Sequence, residues 1–168
     1  MSPYLERLST LLDDEPAITA VLGRRAASLA VAEPARAMVI AALVRRTGRH
    51  PLVVAVPTGT EAERLANDLR IYLGDDAVEL FPAWETLPFE RISPGVETMG
   101  RRLRVLHRLG DLADRPSVLV ASGRALVQRL GPGAGRTRPI LLGPGDVVDQ
   151  TTLVADLVAD GDATPLPG

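Results

Sequence analysis

Apolar and polar positions alternate along the chain in blocks that predict strands followed by helices. Short apolar runs rich in valine and leucine, typical of buried parallel strands, occur at 28–32, 52–56, 78–81 and 117–121. The run at 52–56 is continuous enough to suit a central strand. Because strands alternate with helical spacing, the sequence predicts an α/β fold in which a parallel sheet carries helices on both faces.

Proline, glycine and capping residues predict where the helices begin and end. The predicted helices are an opening amphipathic helix bounded by Pro16, then 35–47, a helix capped by Thr60 with Glu63 and stopped by Gly74, 96–109, a short helix ending at Leu130, and 151–159. After the glycine-rich segment 131–135, residues 139–142 are a further candidate strand. The 35–47 helix is apolar on nearly every side, so we expect it to be buried.

Positive charge is concentrated in one part of the chain. The net charge is −2, yet residues 91–138 hold 10 arginines against 3 acidic residues. Such a cluster would suit phosphate or an acidic protein surface, or it could simply be a set of solvated helix faces.

The helix predicted at 96–109 carries two different faces. Met99, Leu103 and Leu106 have the spacing of an apolar stripe, and Arg101, Arg104 and Arg108 share another face. The first face predicts packing and the second predicts an exposed basic surface.

The residue types that are missing exclude several kinds of chemistry. The chain has no cysteine, so it has no disulfide or thiolate zinc site, and only two histidines, with no third ligand at a metal-site spacing. All 19 basic residues are arginine, whereas a phosphate-binding loop of the G-x-x-x-x-G-K-[ST] type needs lysine. We therefore predict no catalytic residue, no cofactor and no metal.

The segment at which a P-loop motor would place its phosphate loop also lacks the residues that bind nucleotide. It corresponds to residues 32–37, which contain no glycine and include Glu33, whose charge repels phosphate. No signal peptide or stretch of about 18 apolar residues is evident, so we expect a soluble, cytoplasmic protein.

The segment 81–91 holds two aromatic residues, Trp84 and Phe89, between prolines in a loop that follows a predicted strand. Stiff prolines lower the entropy cost of presenting such side chains to a partner. The aromatic residues could instead only cover the carboxyl edge of the sheet, which is also where open α/β folds place their binding sites.

The run FPAWETLPFERISPGVETMGRRLRVLHRL, together with the strand and helix before it, resembles the N-terminal module of the bacterial transcription-repair coupling factor family, Mfd. The resemblance covers about residues 28–130. It implies a domain similar in fold to the excision-repair protein UvrB that has lost the nucleotide-binding motif.

The resemblance also implies a role and a set of partners. Members of the family recognise RNA polymerase stalled at a lesion, displace it with an ATP-driven translocase on double-stranded DNA, and recruit UvrA. This chain would then be a non-catalytic docking and regulatory module, with the motor and polymerase-binding domains lying downstream.

The domain organisation implied by the resemblance is a UvrB-like domain at 1–121 and a partial start of the UvrA-interaction domain at 122–168, with a tail that we expect to be disordered. Direct binding of UvrA by this chain is left open, and packing against the motor domain is the other implied contact. The hypothetical interaction surface consists of Trp84, Glu85, Leu87, Phe89, Arg91, Arg101, Arg104 and Arg108.

Two other functions fit parts of the sequence. The arginines of 91–138 could make the chain a DNA-binding fragment of an excision-repair protein. A free-standing small-molecule enzyme on a doubly wound sheet would need convergent polar groups, which the sequence does not reveal.

Overall fold

The computed structural model describes residues 3–84, 95–130, 140 and 142–161. The chain forms two compact units, Met1–Gln128 and Arg129–Gly168. The first unit contains the sheet.

Among the described residues, the sheet of the first unit has three parallel strands in the order β1-β3-β2. The strands are β1 (Leu52–Val56), β2 (Val78–Phe81) and β3 (Val118–Ser122). All five residues of β3 are buried, whereas burial alternates along β1. The prediction that 52–56 forms the central strand is therefore wrong among the described strands, because β3 pairs with both of the others.

Eight helical segments belong to the described part of this unit. They are α1 (Pro3–Leu8), a 3-10 turn (Ser9–Leu12), α2 (Pro16–Val21), a second 3-10 turn (Glu33–Ala35), α3 (Arg36–Thr47), α4 (Gly59–Leu73), α5 (Val96–Gly110) and α6 (Gly123–Val127). The predicted helices at 35–47 and 96–109 are confirmed to within one residue at each end. Helix α2 was not predicted.

Helices cover both faces of the sheet, which confirms the predicted α/β class. On one face, α3 and α4 pack on the strands through the buried residues Ala37, Val44, Ala62, Ala66, Leu69, Val78, Val118 and Val120. On the other face, α5 and α6 pack through Phe81, Val105, Leu119, Ala121 and Ala125. Both cores are mainly aliphatic, as the scarcity of aromatic residues requires.

The capping residue of α4 lies two positions earlier than predicted. The Thr58 side chain, not that of Thr60, accepts a hydrogen bond from the backbone N–H of Glu61. Thr58 and Glu61 have the same three-residue spacing as the predicted pair, so the pattern fitted either start. The predicted stops are confirmed: Gly48 ends α3 with φ 59° and Gly74 ends α4 with φ 91°.

An arginine fastens the N-terminal segment to α3. Arg45 donates one hydrogen bond to the Ser9 hydroxyl, one to the Ser9 carbonyl at 2.6 Å and one to Asp13 at 2.6 Å. Because Ser9 is fully buried, these bonds connect the first helical segments to the core through polar groups.

The strand predicted at 28–32 is wrong. These residues have no regular secondary structure, and only Leu29 and Val31 are partly buried. The run contains just two large apolar side chains, and among the described strands β1, β2 and β3 pair only with one another.

The apolar stripe predicted for α5 is wrong at two of its three residues, because Leu106 is the one member that packs against the core. Met99 and Leu103 are exposed, whereas Thr98, Arg102, Val105 and Arg108 are buried. The helix is rotated by about a quarter turn from the predicted orientation. Its buried face includes Arg102, which packs against the Phe81 ring, and Arg108, which bonds to Glu79.

The second unit contains helix α7 (Gln150–Gly161), which confirms the helix predicted at 151–159. Asp149 caps it by accepting hydrogen bonds from the hydroxyl and the backbone N–H of Thr152 and from the N–H of Thr151. These bonds hold the pKa of the Asp149 carboxyl below its usual range. Of the strand predicted at 139–142, residues 140 and 142 have no regular structure and the other two lie outside the described residues.

Candidate docking site

The turn at 32–37 offers little that could hold a phosphate. Ala32 is extended, Glu33–Ala35 form one 3-10 turn, and α3 starts at Arg36 without a side-chain cap. The Glu33 carboxylate is exposed and lies 3.7 Å from the Arg64 guanidinium. No strand leads into this turn, which has neither glycine nor lysine.

A cavity of about 590 Å³ lies at the carboxyl edge of the sheet, where the chain leaves all three strands. Its walls include Pro57, Thr58 and Gly59 after β1, Pro82, Ala83 and Trp84 after β2, Ser122 and Arg124 at the end of β3, and Glu97, Thr98 and Arg101 from the start of α5. This is the sheet edge at which parallel α/β folds bind their ligands.

Trp84, one wall of this cavity, is held by a buried arginine. The guanidinium carbon of Arg102 lies 4.4 Å from the centre of the Trp84 ring and 4.1 Å from that of Phe81. Arg102 is 1% exposed. Burial lowers the pKa of its guanidinium, because removal from water disfavours the charged form, and the two rings supply cation–π attraction in return.

The backbone of Trp84 is held as firmly as its ring. Its N–H donates to the side-chain oxygen of Gln128 at 2.7 Å, and the Gln128 amide donates to the Trp84 carbonyl at 3.4 Å. Trp84, which follows β2, is therefore held at its backbone by Gln128 and at its ring by Arg102.

One flank of α5 carries the predicted basic face, and its exposed part consists of two arginines. Arg101 pairs with Glu97 at 2.6 Å, and Arg104 pairs with Glu79 at 3.2 Å. The Arg101 and Arg104 side chains are 56% and 67% exposed, so both remain accessible. Arg101 also lies between the strand-end cavity and a second cavity of about 500 Å³ beside β2, which Arg104 lines as well.

Arg108 lies under this flank rather than on it. Its guanidinium donates to Glu79 at 2.7 Å, to Asp114 at 2.9 Å and to the carbonyl of Asp76 at 2.8 Å. Burial by itself lowers the pKa of Arg108, but the hydrogen bonds and the charges of Glu79 and Asp114 outweigh it, so the pKa is raised. Arg108 thus joins α5 to the edge strand β2.

Much of the arginine cluster is used inside the protein. Seven of the ten arginines at 91–138 are described, and Arg102 and Arg108 among them are buried. Arg115 donates to the carbonyl of Leu109 at 2.9 Å near the end of α5. The cluster therefore offers less free positive charge than its composition indicates.

The structure brings together only part of the predicted interaction surface. Trp84 and Arg101 line the same cavity, Arg104 lies further along α5, and Arg108 is buried. The other four predicted residues, Glu85, Leu87, Phe89 and Arg91, lie outside the described residues.

Three residues at this site were missed by the sequence analysis, namely Arg102, Gln128 and Glu79. Glu79 carried a signal, because a charged residue inside an apolar strand needs a cation close by. Arg102 and Gln128 carried none, since their partners are distant in the sequence.

Two further features of the described chain bear on function. It contains no group of three or more histidine, aspartate or glutamate side chains arranged to hold a metal. None of its helices has the length and apolar character needed to cross a bilayer.

The described elements form an α/β domain with a cavity lined by aromatic and arginine side chains at the carboxyl edge of its sheet. No family model matches the chain. It is, however, 43% identical over 142 residues to transcription-repair-coupling factors of Mycobacterium bovis and Mycobacterium tuberculosis, and 33% identical over 120 residues to that of Myxococcus xanthus. These matches cover 81% and 67% of this chain.

The chain is therefore related to the N-terminal region of the transcription-repair-coupling factors, which confirms the resemblance seen in its sequence. It spans about a tenth of the length of these relatives: 11% of the mycobacterial proteins and 10% of the Myxococcus protein.

The buried pair of Glu79 and Arg108 should dominate the attachment of α5. We expect Glu79→Ala to lower the free energy of unfolding by about 3 kcal/mol, because it leaves a buried guanidinium with only part of its partners. Urea denaturation followed by circular dichroism measures this. The exposed pair of Arg101 and Glu97 is the matched control, so Glu97→Ala should cost about 0.5 kcal/mol or less; equal losses would contradict the assignment.

Gln128 should determine how firmly Trp84 is held. We expect Gln128→Ala to cost about 1–2 kcal/mol through the lost hydrogen bonds and to make Trp84, the single tryptophan, more accessible to acrylamide quenching. Gln150→Ala, at the exposed start of α7, is the control and should leave quenching unchanged. Quenching that is the same in all three proteins would show that Gln128 does not fix this residue.

Proposed function

We propose that this chain is a non-catalytic docking and regulatory module of a transcription-repair coupling factor, acting in transcription-coupled nucleotide excision repair. The observation that carries the proposal is its 43% identity, over 81% of its length, to mycobacterial coupling factors. The remaining support comes from the turn at 32–37 and from the site at the carboxyl edge of the sheet.

The turn supports a role without nucleotide. Phosphate binding at such a place depends on free backbone N–H groups that approach the ligand closely, and on a cation that reaches its outer oxygens. Here the turn has a carboxylate, Glu33, in place of flexible glycines, and the chain has no lysine at all.

The carboxyl edge of the sheet supports docking. Trp84 is fixed at its ring and its backbone, so a partner that packs against it loses little side-chain entropy on binding. Arg101 and Arg104 lie exposed on the adjoining helix, where their charge would select an acidic surface.

The partners follow from the family. The whole protein would use ATP to move along double-stranded DNA in the cytoplasm, displace stalled RNA polymerase and recruit UvrA. For this module we propose that the contact is with the motor region of the same protein, and that Arg101 and Arg104 contribute to it. UvrA is the other candidate partner.

DNA binding through the 91–138 cluster is less well supported. Binding through phosphates needs several free arginines on one surface. Of the described arginines in this cluster, Arg102 and Arg108 are buried and Arg101 and Arg104 are each paired with a glutamate.

The non-catalytic part of the proposal is tested by thermal unfolding with ATP or ADP and magnesium. A ligand at 100 times its dissociation constant adds about 2.7 kcal/mol, whereas we expect no change in melting temperature. Glu33→Gln tests whether the carboxylate alone keeps nucleotide away, and we expect no change there either. A nucleotide-dependent rise in the unmodified protein would contradict the proposal, whereas a rise in Glu33→Gln alone would show that this carboxylate is what excludes nucleotide.

The docking part is tested by binding the chain to the separately purified motor region of its parent protein, to UvrA and to a labelled DNA duplex. We expect Arg101→Gln with Arg104→Gln to weaken binding to the motor region about tenfold, which is about 1.4 kcal/mol. Arg24→Gln with Arg25→Gln removes two other exposed arginines and should have little effect.

Arg104 is replaced by glutamine and not by glutamate, because a second carboxylate at position 104 would repel Glu79. Circular dichroism verifies that each variant folds. Binding to UvrA and not to the motor region would contradict the proposed contact and identify UvrA as the partner. Binding to the duplex alone would favour the alternative function.

A further inference from the structure

Strand β1 has one side that no other described strand pairs with. The Leu52 N–H donates to the Ser117 carbonyl at 2.8 Å, so alternate residues of β1 from Leu52 onward face β3. The N–H and carbonyl groups of Val53 and Ala55 therefore point away from β3. A strand edge with unpaired backbone groups is a template for pairing with another extended segment.

The side chains along this edge are apolar and exposed. Val53 is 53% exposed, and Ala55 is exposed as well. The strand has no charged residue, although charge is a common protection of an edge against pairing. Pro51 and Pro57, just beyond its two ends, have no N–H to donate, so they confine pairing to the short stretch between them.

The other edge of the sheet is protected. Arg70 donates to the Val78 carbonyl of β2 at 3.5 Å, and charged side chains line the cavity beside that strand, among them Glu79 and Arg104. A strand that arrived there would have to displace these groups. Strand addition is therefore favoured at β1, which lies at the opposite edge of the sheet.

The chain on either side of this open edge carries only positive charge. Residues 34–60, which include α3 and β1, contain four arginines and no acidic residue. Arg45 is bound to the N-terminal segment, but Arg36, Arg46 and Arg49 are exposed and join no ion pair with a described residue. A second copy of the chain would bring like charge to this edge, whereas an acidic strand would be attracted to it.

We propose that the outer edge of β1 binds an extended acidic segment of a separate protein, which adds a strand to the sheet by pairing with Val53 and Ala55. Side chains of the segment that lie beside Val53 are apolar, and its carboxylates lie near Arg46 and Arg49, which precede β1. DNA has the negative charge but no row of N–H and carbonyl groups to pair with this edge. The site does not depend on the contact proposed for Arg101 and Arg104, so either can fail without the other.

The amide N–H groups of Val53 and Ala55 in the whole chain report the pairing directly. The probe is the peptide Asp-Glu-Val-Thr-Val-Thr-Val-Glu-Asp, added to the isotopically labelled chain. We expect saturable shifts of both amide resonances, and exchange of both protons with water that is slower by about tenfold or more, because they become hydrogen-bonded.

Control peptides separate charge from backbone pairing. A peptide with arginine in place of its four acidic residues should bind at least about tenfold more weakly. Two others carry backbone N-methyl groups, either on the valines or on the threonines. Since alternate residues of a strand face opposite edges, one methylated set should abolish binding and the other should be tolerated. If neither weakens binding, no strand pairs with β1.

Substitutions in the chain test the same two contributions. Val53→Pro removes an outward N–H without removing a bond to β3, so it should weaken peptide binding about tenfold or more. Val53→Thr is the matched control, because it is also β-branched and keeps that N–H. Arg46→Gln with Arg49→Gln should weaken binding about tenfold, whereas Arg24→Gln with Arg25→Gln should have little effect.

Three results would overturn the proposal, and none of them requires a variant to fold. The peptide could leave both amides unchanged. Protection of both amides that rises with the concentration of the chain alone would assign the edge to a second copy. Protection of both amides in the parent protein without peptide would show that another part of that protein covers the edge.

Discussion

Helix α5 is fastened to the sheet by two buried arginines, and the arrangement of the site depends on this attachment. Arg108 reaches the edge strand through Glu79, while Arg102, less than two turns away, lies against Phe81 and Trp84 at the end of the same strand. Together they orient α5 so that its arginine flank lies along β2. An aliphatic contact would hold the helix in place, but it would not select one rotation as strictly as these directional bonds do.

The same attachment explains why so arginine-rich a segment has so little free charge. Each arginine that enters the interior brings a cost of desolvation, which Glu79, Asp114 or an aromatic ring must offset. The exposed arginines of α5 are Arg101 and Arg104, and they lie next to a cavity that has both charges and an aromatic wall. Such a surface is better suited to a protein contact than to a length of phosphate backbone.

The sequence pattern predicted an element correctly where residues within that element determine its ends. Strand β2 begins and ends at the predicted residues, and α3 ends at the predicted glycine, because strong apolar runs and left-handed glycine caps act within a few positions. The segment at 28–32 resembled a strand equally well, but a strand is stable only with neighbours, and its sequence cannot show whether any are available.

The amino-acid sequence by itself determined the α/β class, most helix ends, the absence of lysine and cysteine, and the kinship with the coupling factors. Only the tertiary structure decided which face of α5 is buried, which arginines remain exposed and which residues hold Trp84. The physical reason is that arginine is amphipathic: its long stem and flat cation can pack against an aromatic ring and a carboxylate inside the protein, or lie in water. Which of these environments each arginine occupies depends on distant partners. Glu79 lies 29 residues along the chain from Arg108, and Trp84, which covers Arg102, is itself held by Gln128, 44 residues away.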